Sequence, residues 1–176
     1  MSAVSLTLRP TAPPGDLDLE ALFRESAGDV HAYARTLLGD DAAAEDVTAV
    51  AFERAHRRRR RFDPRRGSAR AWLFAIARNA ALDELRRRRR SAGLVAELAD
   101  DLPVDQDDGE AAARRTAVAR ALAELAPRER ELIALRFHGG LSHAELGRVL
   151  STSETSAATR VHRAMTKLRE ACDAQR

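Results

Sequence analysis

Apolar side chains recur at three- and four-residue steps along most of the chain, the spacing that places them on one face of an α-helix. The first such pattern follows Asp16 or Asp18, either of which can cap a helix that runs to about Leu38. Gly39 and the aspartates after it end this helix and start a second one. Strand signals are almost absent, so the pattern predicts an all-α protein.

The third predicted helix, from residue 69 to about residue 88, is apolar on two sides. It follows the turn FDPRRGS, in which Ser68 is placed to cap it. A helix with two apolar sides is either enclosed within a bundle, which is the prediction here, or offers one side to a partner. Trp72 lies in the first turn beside the loop, where we expect a partly exposed side chain.

Residues 91–113 have the composition of a flexible linker, with Gly93, Pro103 and Gly109 among them and seven acidic but no basic side chains. Residues 1–15 have the composition of a disordered leader. These boundaries predict two small helical domains, at residues 16–90 and 114–176, joined by an acidic linker.

The second predicted domain carries a helix-turn-helix signal. Ser142 and Glu145 form an S-x-x-E capping box, which starts a short helix. A polar turn at residues 151–153 leads into a longer helix with an apolar stripe on one side and a polar, basic face on the other. Such a face fits the major groove of DNA, and the alternative is a helical hairpin with a solvated face. A central Gly is more typical of this turn than Ser151.

Charge is distributed unevenly, although the formal net charge is only +3. Residues 51–90 carry +11 and residues 114–176 carry +5, whereas residues 1–50 carry −6 and residues 91–113 carry −7. Two basic blocks separated by an acidic spacer predict two units that each face a polyanion. For the arginine runs at residues 57–61 and 86–90, solvated helix ends are the alternative interpretation.

The candidate chemistry is binding rather than catalysis. The five histidines and the single Cys172 show no metal-ligand spacing, and no carboxylate pair forms a recognisable motif. We therefore expect no enzyme activity, catalytic residue, metal or cofactor. The sequence has no apolar run of membrane-spanning length and no signal pattern, and a single cysteine fits a reducing compartment, so we expect a cytoplasmic protein without membrane insertion.

The two halves together resemble an extracytoplasmic-function (ECF) sigma factor of the sigma-70 family, the promoter-recognition subunits of bacterial RNA polymerase. The first half is similar to the sigma-2 domain over LFRESAGDVHAYARTLLGDDAAAEDVTAVAFERA and RFDPRRGSARAWLFAIARNAALDELRRRRR. The second half is similar to the sigma-4 domain over LAELAPRERELIALRFHGGLSHAELGRVL and the helix after it. The resemblance implies two partners: promoter DNA, and core RNA polymerase at its clamp helices (largest subunit) and flap (second-largest subunit). It leaves open whether an anti-sigma factor is a third partner.

The resemblance also implies roles for individual residues. The residues that match elements reading and melting the −10 promoter region are Phe62, Ser68, Ala69, Arg70, Trp72, Arg78, Asn79, Arg86 and Arg87. The residues that match contacts to the −35 element are Arg136, Thr155, Ser156, Ala158, Thr159, Arg160, His162, Arg163 and Lys167. The residues that match the polymerase-docking segment are Asp46, Val47, Val50, Phe52 and Arg54.

The chain departs from the family pattern at a few positions. Ala49 and Val50 stand where members often carry Gln-Glu, and Ala158 stands where a longer side chain is frequent. The −35 sequence preference of other members is therefore not carried over. Two rival classes are a stand-alone helix-turn-helix regulator, which leaves the two-sided third helix unexplained, and an enzyme acting on nucleic acid, which no residue cluster supports.

Overall fold

The computed structural model describes residues 17–92 and 110–174, and these residues form helices and turns with no strand among them. The helices are α1 (Leu19–Leu38), α2 (Asp41–Arg58), α3 (Ala69–Ala92), α4 (Glu110–Glu124), α5 (Pro127–Phe137), α6 (His143–Val149) and α7 (Glu154–Ala174). The all-α prediction is confirmed. The predicted leader and residues 93–109 of the predicted linker lie outside the described residues. No helix within the described ranges is long and apolar enough to cross a membrane.

The helix boundaries of the N-terminal unit, α1 to α3, are set by the capping residues that the sequence predicts. Asp18 accepts a hydrogen bond from the Ala21 backbone N–H at 2.9 Å, and Gly39 ends α1 with a left-handed φ of 66°. Asp40 caps α2 from the following position, and Ser68 Oγ accepts from the backbone at the start of α3. Local polar contacts thus divide a continuous apolar pattern into three helices.

The third helix is enclosed, as its two apolar sides predict. Leu73, Phe74, Ala77 and Ala81 are all fully buried although they point to different sides of α3. The ring of Tyr33 on α1 packs edge-on against Phe74, with ring centroids 5.7 Å apart. The helix continues to residue 92, four residues beyond the predicted end.

The C-terminal unit, α4 to α7, contains the predicted helix-turn-helix. Ser142 Oγ accepts from the Glu145 backbone N–H at 3.2 Å, and Glu145 Oε2 accepts from the Ser142 backbone N–H at 2.9 Å, which completes the capping box. Ser151 takes the left-handed φ of 54° at which a Gly is more usual. A Cβ on Gly147 of α6 would lie 2.8 Å from the Thr152 carbonyl oxygen, so the close approach of the turn to α6 requires a glycine at position 147.

The two units pack against each other, which the sequence analysis did not predict. Helix α1 contacts α5, and α3 contacts α6. Leu132 and Ile133 of α5 belong to the same buried cluster as Leu73 and Phe74 of α3. We call this the closed arrangement.

Candidate nucleic-acid interface

The loop between α2 and α3 presents an aromatic pair. Asp63 shapes the loop by accepting from the Arg65 backbone N–H at 3.0 Å, and Pro64 starts a 3-10 turn there. The rings of Phe62 and Trp72 lie 5.6 Å apart between centroids, and both side chains are half-buried. Rings with accessible faces can stack against unpaired bases without regard to base identity.

A cavity of about 320 Å³ opens between this loop and α6. Phe62 and Trp72 line it, and Arg61, Arg66 and Arg148 bring positive charge to its rim. The volume lies within the range of small-ligand sites, and the combination of rings and guanidinium groups suits a base with its phosphate.

Arg70 is held at the contact between the two units. Its Nε donates to the Gly139 carbonyl oxygen at 2.5 Å, and Nη2 donates to the His138 carbonyl oxygen at 2.8 Å and to Asp29 at 2.6 Å. The guanidinium also lies over the Phe74 ring, 5.3 Å from its centroid. The resemblance places Arg70 on −10 DNA, but in the closed arrangement protein acceptors take its donors.

Ser68 and Arg78, two further residues with a predicted −10 role, are also bound by the C-terminal unit. Ser68 Oγ donates to Glu145 Oε1 at 2.5 Å, and Arg78 Nε lies 2.8 Å from Glu131 Oε1. Burial acts to raise the pKa of Glu145, but hydrogen bonds from Ser68 and Ser142 leave that pKa below its ordinary value. The C-terminal unit therefore occupies part of the predicted −10 surface.

Within the second arginine run, Arg88 has a structural role that the sequence analysis did not separate from its neighbours. Its guanidinium donates to the Leu38 carbonyl oxygen at 3.1 Å and to Asp40 Oδ2 at 2.7 Å. Hydrogen bonds from the Ala43 backbone and from Arg88 lower the pKa of Asp40. Arg88 thus ties the end of α3 to the junction of α1 and α2.

Three other predicted −10 residues of α3 face solvent. Asn79, Arg86 and Arg87 are exposed, and the two arginines form ion pairs with carboxylates on their own helix. Ala69, in the first turn of α3, is half-buried. The Arg86–Asp83 pair is exposed and contributes little to stability, so Arg86 remains able to meet phosphates, whereas Arg87 donates two hydrogen bonds to the largely buried Glu84.

The outward face of α7 has the predicted polar and basic character. Its exposed members are Thr155, Thr159, Arg160, His162 and Arg163, while Ser156 and Ala158 are half-buried. The opposite stripe of this helix is buried in the core of the unit. The recognition face is therefore available to a ligand over most of its length.

Arg136 and Lys167, which the resemblance also assigns to the −35 contact, are engaged within the protein. Arg136 Nη1 donates to the Leu141 carbonyl oxygen at 2.8 Å and so holds the turn between α5 and α6. Lys167 Nζ lies 2.5 Å from Glu129 Oε1. Arg136 therefore positions the helix-turn-helix in this arrangement instead of facing outward.

The predicted polymerase-docking residues on α2 fall on different sides of that helix. Asp46 is exposed and Val50 and Phe52 are half-buried, whereas Val47 is only 4% exposed and packs in the core. Val47 therefore has a packing role in this arrangement, and its predicted contact with the polymerase stays a prediction. Phe23, which the sequence pattern did not indicate as a docking residue, is 53% exposed and packs edge-on against Phe52 at 4.8 Å between ring centroids.

Arg54, the remaining predicted docking residue, lies 3.0 Å from Asp83 Oδ2 on α3. Its charge is thus compensated within the unit. Because both side chains keep substantial exposure, this pair adds little to stability and can be exchanged for a contact with another protein.

A group of metal-type ligands lies at the junction of α1 and α2, where the sequence analysis expected none. His31, Asp41 and Glu45 each place one ligand atom within 4.8 Å of the others. Both carboxylates are exposed, and Arg35 Nε lies 3.7 Å from Asp41 Oδ1, so a cation there would meet a positive charge. Spacing along the sequence did not reveal the group because two helices supply it.

The two units match two known families. Residues 22–91 match sigma-70 region 2, and residues 115–168 match sigma-70 region 4. The ECF RNA polymerase sigma factor SigL of Mycobacterium tuberculosis is 34% identical over 153 residues, which cover 86% of each chain. The chain belongs to the ECF sigma factors of the sigma-70 family. This ECF sigma factor is accordingly a promoter-recognition subunit of RNA polymerase, and the family and function predicted from the resemblance are confirmed.

Two solved structures share the architecture of this ECF sigma factor. CnrH, in complex with the cytosolic domain of CnrY, superposes with a TM-score of 0.66 at 30% identity, over 90% of this chain and 89% of CnrH. RpoE of Bartonella quintana, in complex with the anti-sigma factor NepR, shares the fold with a TM-score of 0.72 at 23% identity, over 90% and 99% of the two chains.

Proposed function

We propose that this sigma factor reads and melts the −10 region with the loop between α2 and α3. The observation that carries this assignment is the Phe62–Trp72 pair beside a cavity of about 320 Å³. Bases of an opened strand would stack on the rings, and Arg61 and Arg66 would neutralise the adjacent phosphates. Contacts to phosphates add affinity for any DNA sequence. Sequence specificity at the −10 region therefore has to come from contacts to the bases themselves.

The −35 element is the proposed ligand of α7. Arg160 and Arg163 point outward from this helix, and neither has an ionic partner among the described residues. A recognition helix in the major groove can place such guanidinium groups against guanine or phosphate. Core RNA polymerase is the proposed partner of the exposed part of α2, where Asp46 and the Phe23–Phe52 pair offer acidic and apolar contacts.

We assign the closed arrangement to a state in which promoter contacts are withheld, because Ser68, Arg70 and Arg78 are bound by the C-terminal unit. Separation of the units on core polymerase would release these side chains. An anti-sigma factor that keeps the units together is the proposed regulatory partner, and the complex of CnrH with the cytosolic domain of CnrY supports a protein partner for a chain of this architecture. In this role the protein is a cytoplasmic binding protein rather than an enzyme.

Run-off transcription with purified core polymerase tests the proposal. The protein should confer initiation at its promoter, and Trp72→Ala and Arg163→Ala should each reduce that initiation for different reasons. A template with a premelted bubble should rescue Trp72→Ala, whose defect is strand opening, more than Arg163→Ala. For Arg163→Ala we expect a loss of roughly 1–3 kcal/mol in promoter binding if the guanidinium makes a paired base contact.

Matched controls separate these effects from general damage. Phe137→Ala removes an aromatic ring that is 61% exposed, and Arg169→Ala removes an exposed arginine from the same helix as Arg163. Both controls should initiate normally. Equal rescue of Trp72→Ala and Arg163→Ala by the bubble would contradict the assignment of strand opening to Trp72 and of −35 binding to Arg163.

A further inference from the structure

A second cavity, of about 500 Å³, lies between the two units and is distinct from the one beside Trp72. Helix α3 forms one wall, and α5 and α7 form the others. Its charged lining residues are Arg78, Arg128, Glu129, Glu131, Arg160 and Arg163. Arginines therefore outnumber carboxylates among the residues that line this open cavity.

Both carboxylates of the cavity are already matched by a cation. Glu131 is only 8% exposed and lies 2.8 Å from Arg78, so these two charges compensate each other across the units. Glu129 lies 2.5 Å from Lys167, which lies outside the lining. Neither carboxylate is therefore available to balance the charge of the other three arginines in the cavity.

The three remaining arginines have no ionic partner within the described part of the chain. Arg128, Arg160 and Arg163 are exposed, and none of their side chains forms a salt bridge or hydrogen bond with residues 17–92 or 110–174. Arg128 also stands in the first turn of α5, where the helix dipole adds positive potential. Like charges around one cavity repel one another, and a bound anion removes that repulsion.

We propose that this cavity binds an oligophosphate, either as an inorganic chain or as the phosphate tail of a nucleoside triphosphate. Its volume is that of a small-molecule site, and several guanidinium groups from different helices call for a ligand with several anionic groups. The ligand would touch α3 on one side and α5 and α7 on the other, so it would stabilise the closed arrangement. The site depends on that arrangement and not on the −35 role of α7.

Isothermal titration calorimetry on the full chain, without divalent cations, tests the site with sodium tripolyphosphate and adenosine triphosphate as probes. We expect saturable binding of tripolyphosphate at one site per chain, and none of sulfate at matched ionic strength. Arg128→Gln should weaken the binding by about tenfold through the loss of a charge-assisted contact. Arg120→Gln, which removes an exposed arginine on α4 outside the cavity, should leave the binding unchanged.

The two probes distinguish the sources of the phosphate chain. Equal affinity for both probes supports recognition of the chain itself, and tighter binding of tripolyphosphate supports an inorganic ligand. Absence of saturable binding, or equal weakening by Arg128→Gln and Arg120→Gln, would overturn the proposal because it would show only general attraction to a basic surface. Neither promoter DNA nor polymerase is present, so the result is independent of the proposed promoter contacts.

Discussion

Buried polar groups meet at the contact between the units. The hydroxyl of Tyr33 is buried and, within the described residues, accepts and donates no hydrogen bond. Burial, reinforced by the charge of Glu131, raises the pKa of Tyr33 far above its ordinary value. The ring itself packs against Phe74, so the aromatic part of the side chain stabilises the core while the hydroxyl opposes it.

Tyr33→Phe should therefore stabilise the protein. The substitution keeps the ring contacts and removes an unmet hydrogen-bonding group, so the free energy of unfolding should rise by about 1 kcal/mol. Urea denaturation followed by circular dichroism measures the change. Tyr33→Ala, which opens a cavity, should destabilise the protein by about 3–5 kcal/mol. A loss of stability in Tyr33→Phe would mean that the hydroxyl has a partner.

At the scale of elements, the helix-turn-helix depends on a close approach between α6 and the turn after it. A Cβ on Gly147 would lie 2.8 Å from the Thr152 carbonyl oxygen and 3.2 Å from the Glu154 nitrogen, which are backbone atoms that cannot rotate away. The angle between α6 and α7 therefore depends on a residue without a side chain.

Gly147→Ala should destabilise the C-terminal unit by about 1–3 kcal/mol and weaken −35 recognition, because the turn must shift to admit the methyl group. Gly28→Ala is the matched control, since a Cβ at that position in α1 meets nothing within 4 Å. The control should gain stability, by at most about 1 kcal/mol, from the higher helix propensity of Ala. Thermal unfolding measures the stability of the two variants. Equal changes in stability would contradict a close approach at Gly147.

The arginine run at the end of α3 contains exposed residues and one residue, Arg88, that binds other parts of the protein. We expect substitutions of the two kinds to have opposite effects on DNA binding and on stability. Replacing the exposed Arg86, Arg89 and Arg90 with Gln should weaken promoter binding by the holoenzyme on all sequences alike. The slope of log affinity against log salt should fall by about 0.9 per lost contact on duplex or about 0.7 on a single strand. The fold should be retained because Gln and Arg have similar helix propensities.

Arg88→Gln is the contrasting variant. It removes the contacts to Asp40 and the Leu38 carbonyl oxygen, so stability should fall by about 1 kcal/mol while the salt slope stays unchanged. Binding measured across a salt series, together with thermal unfolding, gives both quantities. An unchanged slope in the triple variant would identify the run as a solvated helix end.

At the scale of the whole molecule, the closed arrangement should respond to pH. Burial lowers the pKa of His138 despite an opposing effect of Asp29, so the closed arrangement disfavours the protonated ring. Other charged or titratable groups around His138 are Arg70, whose guanidinium binds its carbonyl oxygen, His31 and Arg35 of α1, and Arg114 and Arg115 of α4. The Thr36 hydroxyl lies 3.2 Å from the ring Nε2.

The sign of the pH effect follows from this shift. The contribution of His138 to closure is fully present above the ordinary histidine pKa of about 6.5 and is lost as the pH falls from there towards the lowered value. The lowered pKa of Glu145 acts in the same direction only below the ordinary glutamate pKa of about 4.5, because its contact with Ser68 weakens when the carboxylate is protonated. Acidification should thus favour separation of the units.

Small-angle X-ray scattering between pH 7.5 and about pH 5.5 measures this opening as an increase in the radius of gyration. His138→Gln should reduce the dependence, and His162→Gln, at an exposed site on α7, should leave it unchanged. A radius that is constant over this range, or that grows as the pH rises, would contradict the expectation.

The local features of this sigma factor could be predicted from its sequence because the interactions that create them span only a few residues. Asp18, Ser68 and the Ser142–Glu145 box each bond to a backbone group three positions along the chain, and the apolar stripes follow the 3.6-residue period of a helix. The exposed face of α7 could be predicted for the same reason, because it is the side of the helix opposite the buried apolar stripe.

Only the tertiary structure decided which of these side chains are free to act. Arg70 meets a carbonyl oxygen 69 residues away, and Ser68 meets a carboxylate 77 residues away. Arg88 and its exposed neighbours look alike in the sequence, yet only Arg88 reaches Asp40. Such pairings depend on how whole helices pack against one another. Helix packing is determined by the shapes of both units, and the periodicity and capping signals of a single helix do not contain those shapes.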